Sequence, residues 1–443
     1  MTAWRRRLLP VALACSAVAV VSWSVVEGRA EQRTNTRLNL GAAPLVGRDE
    51  IDGWVWRFGW SLVGAGLLAL LVVAACRSGW WWRVRQRWVL LATSLGAMVF
   101  ATLLALSDGT DGLRYGAEHN TEYLPNLAKA PPAGEFVRTF VDEIDRYSVH
   151  VRGHPPGFVL LLKFLDAIGL SGVWPVVALS ILGTGVTVAA VLLTVRAVAG
   201  DQWMRRAAPL LIVAPYGIWM MTSGDAVFAA VGASGVAAVA EGVSRRRVQA
   251  VWWGVAAGVL FGSLLFLTYL GATLLLVPTV LLVAGLRRRD VGTVAALAGG
   301  VAAGLAVIGA FWLAGFWWLD GVWATDEQYH LGSAQFRAWG YFAIGNLGAA
   351  LIALGPVTVV GLGVLRSRRM WLLVGSALVA LLVSHLSRYT KGEVERIWLI
   401  FYPWIVIAGA ALIARSRRWA GAVAVGVQAT CAIVVQAALL SKW

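Results

Sequence analysis

The sequence predicts an all-α, polytopic membrane protein of about thirteen spanning helices, and three observations support this. Hydrophobic residues make up 59% of the 443 residues and charged residues only 14%, with a mean hydropathy of +0.72. Soluble domains average about 45–50% apolar and about 25% charged residues. Apolar runs of about 18 or more residues recur along the chain, and each is long enough to cross a bilayer core of about 30 Å. Short arginine clusters separate these runs.

The predicted spans follow the apolar runs. They are 8–26, 54–75, 88–106, 172–195, 206–221, 225–242, 249–267, 269–286, 291–316, 340–364, 370–386, 397–414 and 419–440. The span 206–221 is short and contains Pro215. The segment 158–170 is too short to cross and carries Lys163 and Asp166, which favours an amphipathic helix at the membrane interface.

The arginine clusters predict the orientation. With a cytoplasmic N-terminus, clusters such as Arg5–Arg7 and Arg287–Arg289 fall inside and nearly all acidic residues fall outside, as the positive-inside rule expects. We therefore expect a multi-pass protein of the inner (plasma) membrane whose active face is extracytoplasmic. The net charge of +15 follows from these clusters, and it does not indicate a nucleic-acid partner. No small-residue cleavage site follows the first apolar run, which favours an uncleaved helix.

The sequence predicts three modules, and two of them contain the long extracytoplasmic loops. An N-terminal hairpin region (1–87) precedes a module (88–290) with the outer loop 107–157, and a C-terminal module (291–443) carries the outer loops 317–339 and 387–396. We expect short interfacial helices in the large loop. The three cysteines lie in or at the ends of apolar segments without metal-ligand spacing, and they imply no disulfide framework.

The first outer loop opens with Asp108 and Asp111, at the membrane surface where the third span ends. A carboxylate there can act as a general base if burial or a neighbour tunes it. The alternative is a solvated helix end, in which the two Asp-Gly pairs form turns.

The same loop ends in the string RGHPPG, where Pro155 and Pro156 rule out a continuous helix through His154. Arg152 and His154 suit an anionic lipid headgroup or a substrate phosphate. His150 and His154 lie four residues apart, but the break means that helical metal-ligand geometry cannot be assumed.

Two further charged positions lie at span edges. Asp225 begins a span, where an acid is either a functional residue or part of a helix cap. Lys391 and Arg396 are basic residues on the acid-rich side, and a lipid phosphate would explain them. The alternative is a salt-bridged hairpin in which Arg396 pairs with Glu393 or Glu395.

The outer loop 317–339 is aromatic and of mixed charge. Asp320, Tyr329 and Arg337 could line a sugar site, since rings stack on sugar faces and carboxylates accept hydroxyl hydrogens. Anchoring of the tryptophans at the membrane interface explains the composition equally well.

These features together resemble the GT-C superfamily of integral-membrane glycosyltransferases, which includes the protein mannosyltransferases and the aminoarabinose transferases. The shared order is a spanning helix ending in Asp, a long outer loop with short helices, a Pro-Pro turn and a late charged loop. More narrowly, four strings between about residues 95 and 415 resemble an uncharacterised family of actinobacterial membrane proteins placed in that superfamily. They are GHPPGFVLLL, SGDAVFAAVGA, GFWWLDG and KGEVERIWL.

The resemblance implies a reaction in which a sugar passes from a polyprenyl-phosphate carrier to an acceptor on the outer face, with inversion. Asp108 best matches the outer-loop base, and Asp111 is the second choice. The residues expected to hold the donor phosphate are Arg152, His154, Lys391 and Arg396. The residues expected to contact the substrate are Asp225, Tyr147, His150, Asp320, Tyr329 and Glu393.

One departure from the superfamily pattern leaves the catalytic loop open. In many members that loop follows the first span, whereas here it follows the third. Either two spans have been added at the N-terminus, or the loop 27–52 with Asp49, Glu50 and Asp52 competes with 107–157 as the catalytic loop. We prefer 107–157 because it leads into HPPG.

The expected partners are a polyprenyl-phosphate-sugar donor carrying mannose or arabinose, a cell-envelope glycan or lipid acceptor, and the lipid bilayer. A divalent cation held by Asp108, Asp111 and Asp225 is left open. Two other functions are also left open, namely a transporter or flippase of lipid-linked precursors and a non-catalytic GT-C-like scaffold.

Overall fold

A computed structural model describes residues 3–35, 56–221, 224–414 and 417–439, with side chains from Leu8 onward. The competing loop residues Asp49, Glu50 and Asp52 lie outside these ranges. In chain order the α-helices are α1 (Ala3–Thr34), α2 (Trp60–Ser78), α3 (Gln86–Ala105), α4 (Asp111–Glu118), α5 (Ala133–Thr139), α6 (Val149–Arg152), α7 (Gly157–Ala167), α8 (Val173–Ala199), α9 (Asp201–Ile212), α10 (Asp225–Gly242), α11 (Arg247–Leu267), α12 (Gly271–Leu274), α13 (Leu276–Arg287), α14 (Val291–Leu313), α15 (Trp318–Leu331), α16 (Trp339–Leu354), α17 (Pro356–Val364), α18 (Arg368–Leu386), α19 (Val394–Ile397), α20 (Tyr402–Val406) and α21 (Arg418–Ala438). The 3-10 helices are Trp80–Trp82, Leu106–Asp108, Leu124–Asn126, Ile144–Arg146, Pro215–Trp219, Ser333–Phe336, Trp398–Ile400 and Ile407–Leu412.

The helical, multi-pass architecture is confirmed, but thirteen spans are not. In the part of the chain that the structure describes, nine helices are long and apolar enough to cross a membrane. Two helix pairs with sharp bends raise the number to eleven if each pair is one span. The protein is thus a multi-pass membrane protein.

Two of the predicted spans are replaced by shorter helices. The segment 206–221 divides into the end of α9, which contains Pro209, and the 3-10 helix Pro215–Trp219. The helix continues past Pro209 and ends at Ile212, shortly before Pro215, which lacks an amide hydrogen and fixes its own φ. The segment 269–286 divides into α12 and α13, which are also short of a full crossing.

Two further predicted spans are bent. The axes of α16 and α17 meet at 93°, and the two halves of 394–412 meet at 79°. The first bend lies at Gly355, whose φ of 75° suits glycine, and Pro356 then starts α17. Gln428 of α21 fills this bend, since its amide donates to Leu354 O (2.7 Å) and accepts from Val357 N (3.1 Å). The bend is therefore satisfied from within the protein.

The second bent segment, 394–412, forms the centre of the core. Trp398, Tyr402 and Trp404 are among the largest fully buried side chains. By contrast, only 11% of the apolar window of α14 is buried, and the rest presents an apolar surface suited to lipid. Where α14 meets α11, glycines permit close approach, and a Cβ at Gly258 would lie 2.1 Å from Gly300 O.

The predicted loop 107–157 folds into short helices, as expected. It contains α4, α5 and α6, and the chain then turns through Pro155 and Pro156 into α7. This arrangement sets α6 and the HPPG turn beside the first residue of α10, and it positions the candidate site.

Candidate functional site

A buried arginine joins two carboxylates from distant parts of the chain. Arg396 donates from Nη1 to Glu122 Oε1 (2.6 Å) and from Nε to Asp225 Oδ2 (2.8 Å). Arg396 and Glu122 are each 2% exposed and Asp225 is 7% exposed. His150 and His154 adjoin this group, and we call the five residues the Arg396 cluster. It unites the loop 107–157, α10 and α19.

Local structure explains how Asp225 and Arg396 are placed. Asp225 is the first residue of α10, where the helix dipole favours a carboxylate. Arg396 lies in α19, which begins just after Gly392 and Glu393, both with positive φ (90° and 60°). Asn346 of α16 fixes that turn, because it donates to Thr390 O (2.6 Å) and accepts from Gly392 N (3.0 Å).

Glu122 is positioned by a pair of polar side chains within the first loop. Asn126 donates to Glu122 O (2.6 Å) and to Ser148 Oγ (2.6 Å), and it accepts from Ser148 N (3.0 Å). Ser148 also donates to Thr121 O (2.7 Å). These bonds hold residues 121–126 against Ser148, so that His150 lies next to Glu122.

The two histidines are held neutral by burial. Burial lowers the pKa of His150 to about 3, and the nearby Arg396 charge adds to this. Its Nε2 lies 3.3 Å from Glu122 Oε1. Burial also lowers the pKa of His154. His154 Nδ1 donates to His150 O (2.9 Å), since a carbonyl oxygen only accepts, and the neutral ring is then an acceptor at Nε2.

Two polar atoms of the cluster region are buried without a hydrogen-bond partner among the described residues. They are Glu122 Oε2 and the hydroxyl of the adjacent Tyr123. Buried polar groups are nearly always paired with protein, water or ligand, and exceptions concentrate at functional sites. Burial raises the pKa of Glu122, while Arg396 opposes this shift. A carboxylate so placed can accept a proton from a bound hydroxyl.

The structure brings together four of the residues that the sequence singled out, namely His150, His154, Asp225 and Arg396. Sequence reasoning missed Glu122, the central acid of the cluster. The available signal was an acid between His119 and Tyr123 in the outer loop, in the string HNTEY. A polar loop offers many such acids, and nothing local distinguishes this one.

The two predicted bases lie elsewhere. Asp108 ends a 3-10 helix after α3 and pairs with Arg57. Asp111 is exposed in the first turn of α4. In the described ranges, neither carboxylate forms a hydrogen bond or ion pair with the Arg396 cluster.

Several predicted ligand-binding residues form a second group around α15. Arg152 donates from Nη1 to Gln328 Oε1 (2.9 Å), and Tyr329 donates to Arg388 O (2.8 Å). Lys391 Nζ donates to Ala334 O (3.2 Å). Burial lowers the pKa of Lys391, and the neighbouring arginines Arg388 and Arg337 add to this effect.

Among the remaining predicted residues, Glu393 borders the Arg396 cluster, because its carbonyl oxygen accepts from Arg396 N (3.2 Å). Glu393 lies 3.5 Å from Arg337 and forms an ion pair with it. Tyr147 is buried against the rings of Phe136 and Phe140, and burial raises its pKa. Asp320 is exposed in the first turn of α15.

The described residues include no group of three or more His, Cys, Asp or Glu side chains that could hold a metal ion. Within the Arg396 cluster, the guanidinium lies between the two carboxylates and repels a cation. Arg396 therefore compensates part of the negative charge of Glu122 and Asp225.

The fold and the site define a multi-pass helical membrane protein with a buried, acid-rich polar cluster. No protein-family model matches the chain, and no curated protein is significantly similar to it.

Proposed function

We propose that the protein transfers a sugar from a polyprenyl-phosphate-linked donor to a cell-envelope acceptor, and that the Arg396 cluster is the reaction centre. The observation that carries the proposal is Glu122 Oε2, a buried carboxylate oxygen that has no hydrogen-bond partner among the described residues, in a cluster built from three distant segments. Those segments are the ones whose motifs resemble the GT-C superfamily. The cluster belongs to the acid-rich side of the chain, which we assign to the extracytoplasmic face.

In the proposed reaction, Glu122 accepts the proton of the acceptor hydroxyl. The hydroxyl oxygen forms a bond to the anomeric carbon, the bond from that carbon to the phosphate oxygen breaks, and the phosphate leaves with the electron pair. A single displacement inverts the configuration. Arg396 is already engaged by two carboxylates, so we assign the leaving phosphate first to Arg152 and Lys391. Asp108 remains the alternative base.

Reconstituted protein tests this function directly. Polyprenyl-phosphate mannose and polyprenyl-phosphate arabinose, each labelled in the sugar, are supplied in liposomes with a cell-envelope extract as acceptor. We expect the label to leave one donor, to enter a new product, and to release free polyprenyl phosphate. Both donors remaining intact while wild-type protein is folded would contradict the proposal.

One observation favours transport of a lipid-linked precursor as the second candidate. The two bent segments, α16–α17 and 394–412, pack against each other, and discontinuous helices form substrate sites in many transporters. However, Gln428 already satisfies the bend at Gly355. Transport is favoured if labelled donor crosses the liposome bilayer chemically unchanged.

A further inference from the structure

Helix α15 connects the two loops that carry the Arg396 cluster. It is anchored at its N-terminal end, where Trp318 Nε1 donates to Leu265 O (2.8 Å) and Gly321 packs on Tyr269 and Phe316. Gly321 is the only buried residue of α15. The C-terminal half of the helix is therefore held mainly by polar contacts.

The C-terminal end of α15 and the residues that directly follow it are hydrogen-bonded to the outer loop 387–396, which we call the late loop. Tyr329 donates to Arg388 O (2.8 Å), Lys391 donates to Ala334 O (3.2 Å), and Arg337 Nη1 donates to Lys391 O (2.6 Å). Because these bonds are spread along both segments, we expect α15 and the late loop to move together as one unit. This unit leads directly into α19 and hence to Arg396.

On its other side, α15 forms side-chain hydrogen bonds with one residue of the first loop, Arg152, in the described ranges. Arg152 Nη1 donates to Gln328 Oε1 (2.9 Å), and Arg152 O accepts from Thr325 Oγ1 (2.8 Å). Across the described ranges, these are the side-chain hydrogen bonds that join α15 to residues 107–157. Arg152 lies two residues from both His150 and His154. Its contact with α15 therefore holds the two loops together next to the Arg396 cluster.

We propose that Arg152 is a clasp whose contact with Thr325 and Gln328 holds α15 and the late loop against the HPPG turn. Opening the clasp separates the two loops beside His154. The neutral amide of Gln328 offers the Arg152 guanidinium one uncharged acceptor, whereas an anionic phosphate offers opposite charge and bidentate hydrogen bonds. The donor phosphate therefore competes for Arg152 and opens the clasp, a step that rests on the proposed function.

Hydrogen–deuterium exchange in nanodiscs tests the clasp without any substrate. The double variant Thr325→Val, Gln328→Ala removes the contact, and Glu327→Gln, an exposed position on the same helix, is the matched control. Since the contact includes a hydrogen bond from a charged guanidinium, we expect exchange to rise at least about tenfold in the double variant. The rise should occur in both 150–154 and 392–397, whereas the control should match wild type.

Exchange that rises only within α15, or nowhere, would overturn the clasp. The double variant must keep the wild-type melting temperature, and otherwise the single variant Gln328→Ala replaces it. In a second arm, phosphatidic acid replaces part of the nanodisc lipid. Faster exchange of the same two segments in wild type, with no further change in the double variant, supports competition by phosphate. No response to phosphatidic acid overturns that step, and neither result depends on sugar transfer.

Discussion

The two ends of α10 each carry a buried carboxylate, but their ion pairs are built differently. At one end, Asp225 shares the cation Arg396 with Glu122. At the other end, about 24 Å away at 1.5 Å per residue, Glu241 pairs with both Arg196 (3.0 Å) and Arg245 (2.6 Å). The first group has more acids than cations and the second has more cations than acids.

Solvent exposure separates the two ends further. The side chains of Arg196 and Arg245 are 33% and 43% exposed, whereas that of Arg396 is 3% exposed. Exposed arginines around one acid need no function beyond fixing a helix end and following the positive-inside pattern. A buried surplus of acid costs free energy, and such arrangements concentrate at functional sites. The comparison therefore favours a structural role for the Glu241 end and supports the Asp225 end as the centre of the proposed reaction.

Removing the arginine should give the largest difference between the two ends. Arg396→Met leaves two buried carboxylates without a cation, and we expect it to lower the free energy of unfolding by about 3–5 kcal/mol. Arg245→Met leaves Glu241 paired with Arg196, and we expect a loss below about 1 kcal/mol. Unfolding by SDS titration measures both. Equal losses in the two variants would remove the distinction between the two ends.

Lowering the pH should reduce the free energy of unfolding through the histidines beside Asp225. The pKa of His150 is about 3 in the folded protein against 6.5 for an exposed histidine, so the unfolded chain takes up the proton first. Stability is complete above about pH 6.5 and is lost as the pH falls toward 3, by about 2 kcal/mol at pH 5. His154 acts in the same direction. His150→Gln should flatten the pH profile.

The pH experiment compares unfolding free energies of wild type and His150→Gln at pH 7, 6 and 5. An identical slope in the two proteins would show that His150 is not the titrating group. Glu122, whose pKa burial raises, acts in the opposite direction, so a flat wild-type profile counts against neutral histidines only if His150→Gln is flat as well.

Neutralising one acid at each end should give the smallest effects, with opposite signs. Glu122→Gln leaves one acid for one cation, and we expect stability equal to wild type or higher by up to about 1 kcal/mol. Glu241→Gln leaves two arginines without a counter-ion, and we expect a loss of about 1 kcal/mol. Thermal unfolding of the pair in one detergent resolves the signs. A clear loss in Glu122→Gln would show that Arg396 requires both carboxylates.

Hydropathy and charge predicted most of the membrane helices, because both signals are local in sequence. They did not predict the bends at Gly355 and Phe401, since a bent apolar segment has the same composition as a straight one. The partner that satisfies the first bend, Gln428, lies in the last helix. No single window of sequence contains both residues.

The sequence identified individual residues of the site but not their proximity. Asp225 and Arg396 stand out because charge is costly at a span edge, and His150 stands out beside the two prolines. That these residues meet depends on packing between segments as far apart as 122 and 396. Glu122 carries no such local signal, because an acid in a polar loop is ordinary until the loop folds it inward.

The rate of sugar transfer by Glu122→Gln, compared with Asp108→Asn and Glu241→Gln in the same liposome assay, tests the central claim most directly. We predict that Glu122→Gln lowers the rate at least about 100-fold, the loss expected for a general base, with unchanged stability. Glu241→Gln should keep the wild-type rate. A wild-type rate in Glu122→Gln together with an inactive Asp108→Asn would contradict the account and would place the reaction at Asp108.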